Sequence, residues 1–222
     1  MALNKLKYNS LNITPAANKA IGFDSDADAL EATFEGGAMT FIKKLTASSS
    51  GTLSFVDGSS DVVLDDTYKE YLFICNNMHP ASDASFVFQT STNTGSSYGV
   101  TATASHFRAY HIEDGAESLF SYQTSYDLTQ STSDATLAYT NSSDSDNGCC
   151  GTLHLFNPSS TTFVKNFISD FSTMRNASPD ASIRSVGAGL FNTTSAVDAI
   201  QFKMVEGNID SGTIKMYGLK DS

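Results

Sequence analysis

Apolar residues recur at alternate positions along much of this chain. Phe86 and Phe88, Leu153 and Leu155, Val186, Ala188 and Leu190, and Ile200, Phe202 and Met204 all follow that spacing. Near the end, 207–220 opens on a Gly/Asn/Asp turn and continues with apolar side chains set between Thr213 and Lys215 as far as Tyr217. A period of two is the strand period, with one face buried and the other wet. The pattern predicts strands over 39–46, 51–55, 70–76, 85–89, 104–111, 118–123, 151–156, 163–169, 182–190, 199–205 and 212–219. Turn signals separate them: Asp57-Gly58, His79-Pro80, Asn93-Thr94-Gly95, Asp114-Gly115, Asn157-Pro158 and Glu206-Gly207-Asn208. Many short strands with regular turns predict an all-β fold, an antiparallel β-sandwich of jelly-roll type. Helical periodicity is scarce, with 62–74 the longest doubtful window. The Ser/Thr/Asn/Asp-rich stretch 130–148 reads as an exposed loop, with 135–139 as a short edge strand at most.

The first 38 residues read differently. Positions 9–20 are polar, 24–35 are acidic and suit a short helix or an extended arm, and Gly36-Gly37 marks a break. The expected organisation is an N-terminal arm over 1–38 and a single sandwich domain over 39–222. The core is expected to draw on Phe41, Phe55, Leu72, Ile74, Phe86, Phe88, Leu153, Leu155, Phe167, Leu190, Ile200, Phe202 and Ile214.

Composition sharpens this picture. The chain has 222 residues, 15 Phe and 9 Tyr but no Trp, and only 17% charged residues. Phe and Tyr suit a pleated, half-buried surface. The formal net charge of −11 disfavours binding to phosphate backbones and to anionic membranes. Three cysteines, Cys75, Cys149 and Cys150, give an odd count, and adjacent cysteines rarely bridge each other. Cys75 sits in the strand-like run Tyr71-Leu-Phe-Ile-Cys75 and reads as a small buried hydrophobe. Met1–Lys5 opens no apolar signal region, and no apolar stretch is long enough to span a bilayer.

Candidate chemistry is thin. Asp24, Asp26, Asp28 and Glu35 fall at the oxygen positions of a calcium loop, but Ala29 stands where the sharp turn needs glycine, and flanking helices are missing. Gly95-Ser-Ser97-Tyr-Gly99 matches a nucleophile-elbow spacing without the strand–turn–helix setting that chemistry needs, and reads as a hairpin turn. His106 and His111 are expected on opposite faces of one strand, His79 in a turn, and His154 pointing away from Leu153 and Leu155; none has a metal-ligand spacing. Asp65-Asp66 and Glu113-Asp114 are sequence neighbours, not carboxylates facing across a cleft. Asn12, Asn141, Asn176 and Asn192 open glycosylation triplets that a chain rich in Asn, Ser and Thr produces by chance. Tyr98, Tyr122, Tyr126 and Tyr139 lie in polar surroundings, where they could stack on sugars, rim an interface or fill a core. No catalytic, metal or cofactor residue is assigned, and the chain is expected not to be an enzyme.

Several strings in shared order carry a resemblance. They include Phe41-Ile-Lys-Lys44, Ser54-Phe-Val-Asp-Gly58, Leu64-Asp-Asp-Thr-Tyr-Lys-Glu-Tyr-Leu72, His79-Pro-Ala-Ser-Asp83 and Gly95-Ser-Ser-Tyr98. Gly151-Thr-Leu-His-Leu-Phe-Asn-Pro158, Phe191-Asn-Thr-Thr194 and Gly212-Thr-Ile-Lys-Met-Tyr-Gly218 continue the series. Over about 40–219 the chain resembles small β-structural virion proteins of marine tailed bacteriophages. The resemblance implies a β-sandwich on the outside of the particle, made in the host cytoplasm, a homo-oligomer with a trimer as one arrangement, and no catalytic residues to carry over. Its partners would be capsid or tail proteins of the same virion. Capsid decoration is the leading expectation, and a tail-fibre tip recognising host-surface glycans is the alternative.

Overall fold

The computed structural model describes residues 20–23, 30–34, 37–175 and 179–220. The chain divides into two units, 1–40 and 41–222. In the first, β1 (Ala20–Phe23) pairs antiparallel with β2 (Leu30–Phe34). Of the two expectations for 24–35, a short helix or an extended arm, residues 30–34 are extended, as strand. Residues 24–29 and 35 lie outside the described residues, and with them Asp24, Asp26, Asp28 and Glu35 of the calcium-like spacing.

Among the described residues the second unit is all-β apart from a 3-10 turn at Thr124–Tyr126. Its strands are β3 (Met39–Ser50), β4 (Leu53–Val56), β5 (Glu70–Pro80), β6 (Ala84–Ser91), β7 (Ala102–Ile112), β8 (Ser118–Tyr122) and β9 (Leu128–Ser131). They continue with β10 (Ala135–Asn141), β11 (Cys149–Phe156), β12 (Lys165–Arg175), β13 (Ala181–Phe191), β14 (Ala199–Met204) and β15 (Ile209–Leu219). Nine strands form one antiparallel sheet in the order β3-β15-β5-β11-β12-β13-β7-β8, with β9 also on β7; four form the other, β10-β6-β14-β4. The two sheets pack face to face, so the β-sandwich expectation is met. The strand orders do not establish the expected jelly-roll winding.

Phenylalanines fill the space between the sheets. The ring of Phe202 on β14 lies 5.4 Å from Phe73, 5.9 Å from Phe86, and 6.2 Å from both Phe55 and Phe88. Phe88 crosses to the large sheet and meets Phe167 at 5.0 Å and Phe191 at 5.6 Å, both edge-on. Burying one such side chain contributes about 1.5–3 kcal/mol. Offset or edge-on ring pairs add about 0.5–1.5 kcal/mol each.

The expected core is corrected at four places. On β5 the inward residues are Tyr71, Phe73 and Cys75, while Leu72 and Ile74 point outward and are half-buried. Both phases of this strand are apolar, so alternation fixes its period but not which face is inside. On β13 Ala181, Ile183, Ser185 and Phe191 are buried, and Val186, Ala188 and Leu190 share the outward face. Phe41 is 54% exposed and packs edge-on against Tyr217 at 5.5 Å. The fourth is the stretch 130–148, where the edge strand allowed over 135–139 is present and longer, while 144–146 remain exposed loop. It contributes β10 to the edge of the small sheet, with Ala135, Leu137, Ala138 and Asn141 buried. Its polar residues find partners inside: Asn141 donates to the Met78 carbonyl at 2.5 Å and accepts from Thr173 at 2.9 Å. The doubtful window 62–74 is a turn followed by β5, with Val62 and Leu64 buried. The Tyr68 ring from this turn lies so close to Gly218 on β15 that any side chain there would overlap it.

Loops at one end of the sandwich are held by a buried cation. Lys165 is fully buried at the start of β12. Its ammonium donates to the carbonyls of Ser160 at 2.5 Å, Phe163 at 2.9 Å and Thr193 at 3.1 Å, which joins the loop before β12 to the loop after β13.

Candidate functional site

The candidates from sequence do not converge. His106 faces inward and is 2% exposed, whereas His111 on the same strand is exposed and bonds only locally to the Ile112 carbonyl, the opposition expected. His154 points away from the buried Leu153 and Leu155, as expected, and its Nε2 lies 2.9 Å from Glu70. His79 belongs to β5 rather than to a turn, and its Nδ1 lies 2.8 Å from the Asn147 carbonyl. Asp65 and Asp114 each accept a backbone N–H two residues on, which is turn geometry. The 95–99 segment lies in the loop joining β6 of the small sheet to β7 of the large one, so it is a crossover rather than a hairpin turn. Among the described residues, no three His, Cys, Asp or Glu side chains are grouped to hold a metal ion.

Cys75 and Cys149 are buried, and burial pushes both thiols well above their ordinary range, so they behave as packing groups. Cys150 is half-exposed, and its sulfur accepts from the Asn77 backbone at 3.2 Å. Of the glycosylation triplets, Asn141 is buried and Asn192 is exposed, with its amide donating to Gln130. Asn12 and Asn176 lie outside the described residues.

The four tyrosines separate. Tyr126 and Tyr139 pack edge-on at 5.3 Å and are half-buried, Tyr126 lies 5.7 Å from His106, and the Arg108 guanidinium sits 4.3 Å over the Tyr139 ring. They fill the flank of the core, not a polar loop. Burial in this neighbourhood lowers the His106 pKa to about 4. Tyr98 lines a polar cleft of about 370 Å³ together with Asn93, Ser97, Thr101, Asn192 and Thr193. Tyr122 is on the surface, beside Asp127.

What the structure brings together is an apolar surface on the outer face of the large sheet. Cross-strand partners share a face, so rows can be followed strand by strand. One row runs Tyr217, Leu72, His154, Ile168, Ala188 and Ser105. The next runs Lys215, Ile74, Thr152, Asp170, Val186, Phe107 and Tyr122. Ile168 is 53% exposed in the middle of the sheet. At the β7–β8 end, Phe107 stacks on Phe120 at 6.0 Å and meets Tyr122 edge-on at 5.0 Å. Polar groups break up the apolar ones: His154 meets Glu70, and Arg184 forms an ion pair with Asp170 that holds the Asp170 carboxyl below its ordinary range. Exposed apolar groups on a sheet face, here Ile168 and the Phe107–Phe120–Tyr122 cluster, suit a contact surface. Sequence reading missed it because Leu72, Ile74 and Leu190 had been assigned to the interior.

No protein-family model, curated protein or solved structure matches this chain.

Proposed function

We propose that the chain is a structural protein of a bacteriophage virion, displayed on the particle and decorating the capsid through non-covalent contacts. The observation that supports the reading is the exposed Ile168 on the outer face of the nine-stranded sheet, which it shares with Leu72, Val186 and Phe107. Laid on a capsid lattice, this face removes Leu72, Ile168, Val186 and Phe107 from water. Each square ångström of apolar area so buried contributes about 25 cal/mol. A protein that binds only the assembled head stabilises it by mass action. Neutral hydroxyl- and amide-rich loops, such as that at 92–101, would remain toward solvent. The test has two parts. Gold-labelled antibody on purified particles should label heads throughout, and Ile168→Asp should strip the protein from heads while leaving it folded. Label confined to tails, or undiminished occupancy by Ile168→Asp, would overturn the reading.

A second reading, a tail-fibre tip that binds host-surface glycans, has one observation in its favour. The cleft holding Tyr98 is lined by neutral hydrogen-bonding groups and an aromatic ring, a combination that suits a sugar. Inhibition of adsorption by host polysaccharide, lost in Tyr98→Ala, would establish it. Absence of inhibition together with head labelling would dismiss it.

A further inference from the structure

We infer that two copies of this chain pair edge to edge through β8, antiparallel, about a two-fold axis near Phe120. The inference goes beyond the virion reading and does not depend on it. β8 ends the nine-stranded sheet. It pairs with β7 over five unbroken positions, Phe107–Tyr122 through His111–Ser118, and no described strand lies on its other side. The strand is exposed on both faces: Leu119 is 45% exposed, Phe120 72% and Tyr122 48%. An edge strand with free peptide groups is a template for another strand, and proteins ordinarily guard it with lysine, proline, a bulge or cover.

The other edges are guarded. β3 carries Lys43 and Lys44. In the small sheet β4 is only four residues long, and on β10 the Tyr139 N–H is taken by Ser185; β9 is also four residues long and its register with β7 is broken. β8 reads Ser-Leu-Phe-Ser-Tyr, with no charge, no proline and no bulge.

The chemistry of the strand selects its occupant. A neutral edge with apolar groups on both faces fits another neutral edge of the same kind, and β8 of a second copy has it. Turned about Phe120, Ser118 stands opposite Tyr122 and Leu119 opposite Ser121. Phe107, Phe120 and Tyr122 of both copies then form one aromatic patch on the outer face. The acidic residues Glu113, Asp114 and Glu117 precede β8, so antiparallel pairing sends the two acidic turns to opposite ends of the junction. Parallel pairing would stack Glu117 on Glu117 at the strand spacing of about 4.8 Å. Side chains of this size bury about 150–250 Å² each, so the exposed parts of Leu119, Phe120 and Tyr122 supply roughly 600 Å² per pair at most. That is about half of what the smallest stable interfaces bury, so the pair is a weak one that relies on its strand hydrogen bonds and forms at high concentration. The net charge of −11 opposes association, so added salt should strengthen the pair.

The test is sedimentation and light scattering of the full chain over a wide concentration range. At high concentration the wild type should be a dimer, or a larger assembly built from dimers. Phe120→Lys should weaken association by about a hundredfold. The site is open to solvent, so at concentrations where both are monomers its melting midpoint should match the wild type. Lys43→Glu combined with Lys44→Glu should leave association intact. Phe120→Cys under mild oxidation should cross-link to itself, with the 120–120 bridge found by peptide mapping. A monomer at every concentration, assembly unaffected by Phe120→Lys, or assembly lost both in Phe120→Lys and in Lys43→Glu with Lys44→Glu would overturn the inference; the last would show pairing of β8 with β3.

Discussion

Replacing Lys165 with methionine tests whether a buried cation holds one end of the sandwich. Methionine keeps the volume and apolar stem but removes three charge-assisted donors, to Ser160, Phe163 and Thr193. Such bonds contribute about 1.5–3 kcal/mol each, and a buried acceptor left alone costs about 1–3 kcal/mol. Ser160 and Thr193 are half-buried and Phe163 is exposed, so water can reach their carbonyls after some adjustment. The lower figure therefore applies, and Lys165→Met should lose about 3 kcal/mol. For a domain of this size that is a fall of about 6–12 °C in melting midpoint. Hydrogen exchange should rise together in the loops before β12 and after β13, since one group ties both. Desolvation also holds the Lys165 pKa below its ordinary 10.5. Between the lowered value and 10.5 the unfolded chain binds more protons, so this residue makes stability rise with pH through that window. The methionine variant should lack that rise. The opposing argument is that a buried charge costs so much desolvation that an apolar replacement is neutral or stabilising. A midpoint equal to or above the wild type would show that this cost dominates, and the clamp would be refuted.

Other predictions follow from burial and charge. His106, held at about 4 against 6.5 when unfolded, should cost roughly 3 kcal/mol of stability as pH falls from 6.5 to 4, because the unfolded state takes up the proton first. Urea melts across that range should show the loss, and His106→Leu should flatten it; Asp83 and Asp170 are held below 3.8, so they act at lower pH. Phe202→Ala should lose about 3–5 kcal/mol, since this ring touches four others and leaves a cavity between the sheets. Arg184→Ala, which breaks an ion pair with both partners well exposed, should change stability by less than about 1 kcal/mol, and by nothing measurable in high salt.

The sequence conveyed strands and turns well, and faces poorly. Ile214 and Met216 alternate with Thr213, Lys215 and Tyr217, and the structure buries only the first pair. Tyr71-Leu-Phe-Ile-Cys75 is apolar at every position, and only the pairing with β11 and β15 decides that Leu72 and Ile74 lie outside. β10 was obscured because its buried polar groups, such as Asn141, look like loop residues until Met78 and Thr173 are seen to satisfy them. Nor could the exposure of Phe120 be read from the chain: a Ser-Leu-Phe-Ser-Tyr strand in the middle of a sheet would look the same. Its place at the edge follows from topology. The buried ammonium of Lys165 likewise depends on carbonyls from two loops brought together only in the fold.

The place of β3 in the large sheet has a consequence for how the molecule is made. β3 is the first strand of the sheet in the chain, yet it joins the sheet only through β15, the last one described. While the chain grows on the ribosome, Phe41, Ile42 and Leu45 therefore have no neighbouring strand until Leu219 has emerged. Co-translational folding can assemble the middle of the sheet early, but its β3 edge closes only once β15 has been made. Until then the lysines of β3 are its main protection against joining the wrong chain.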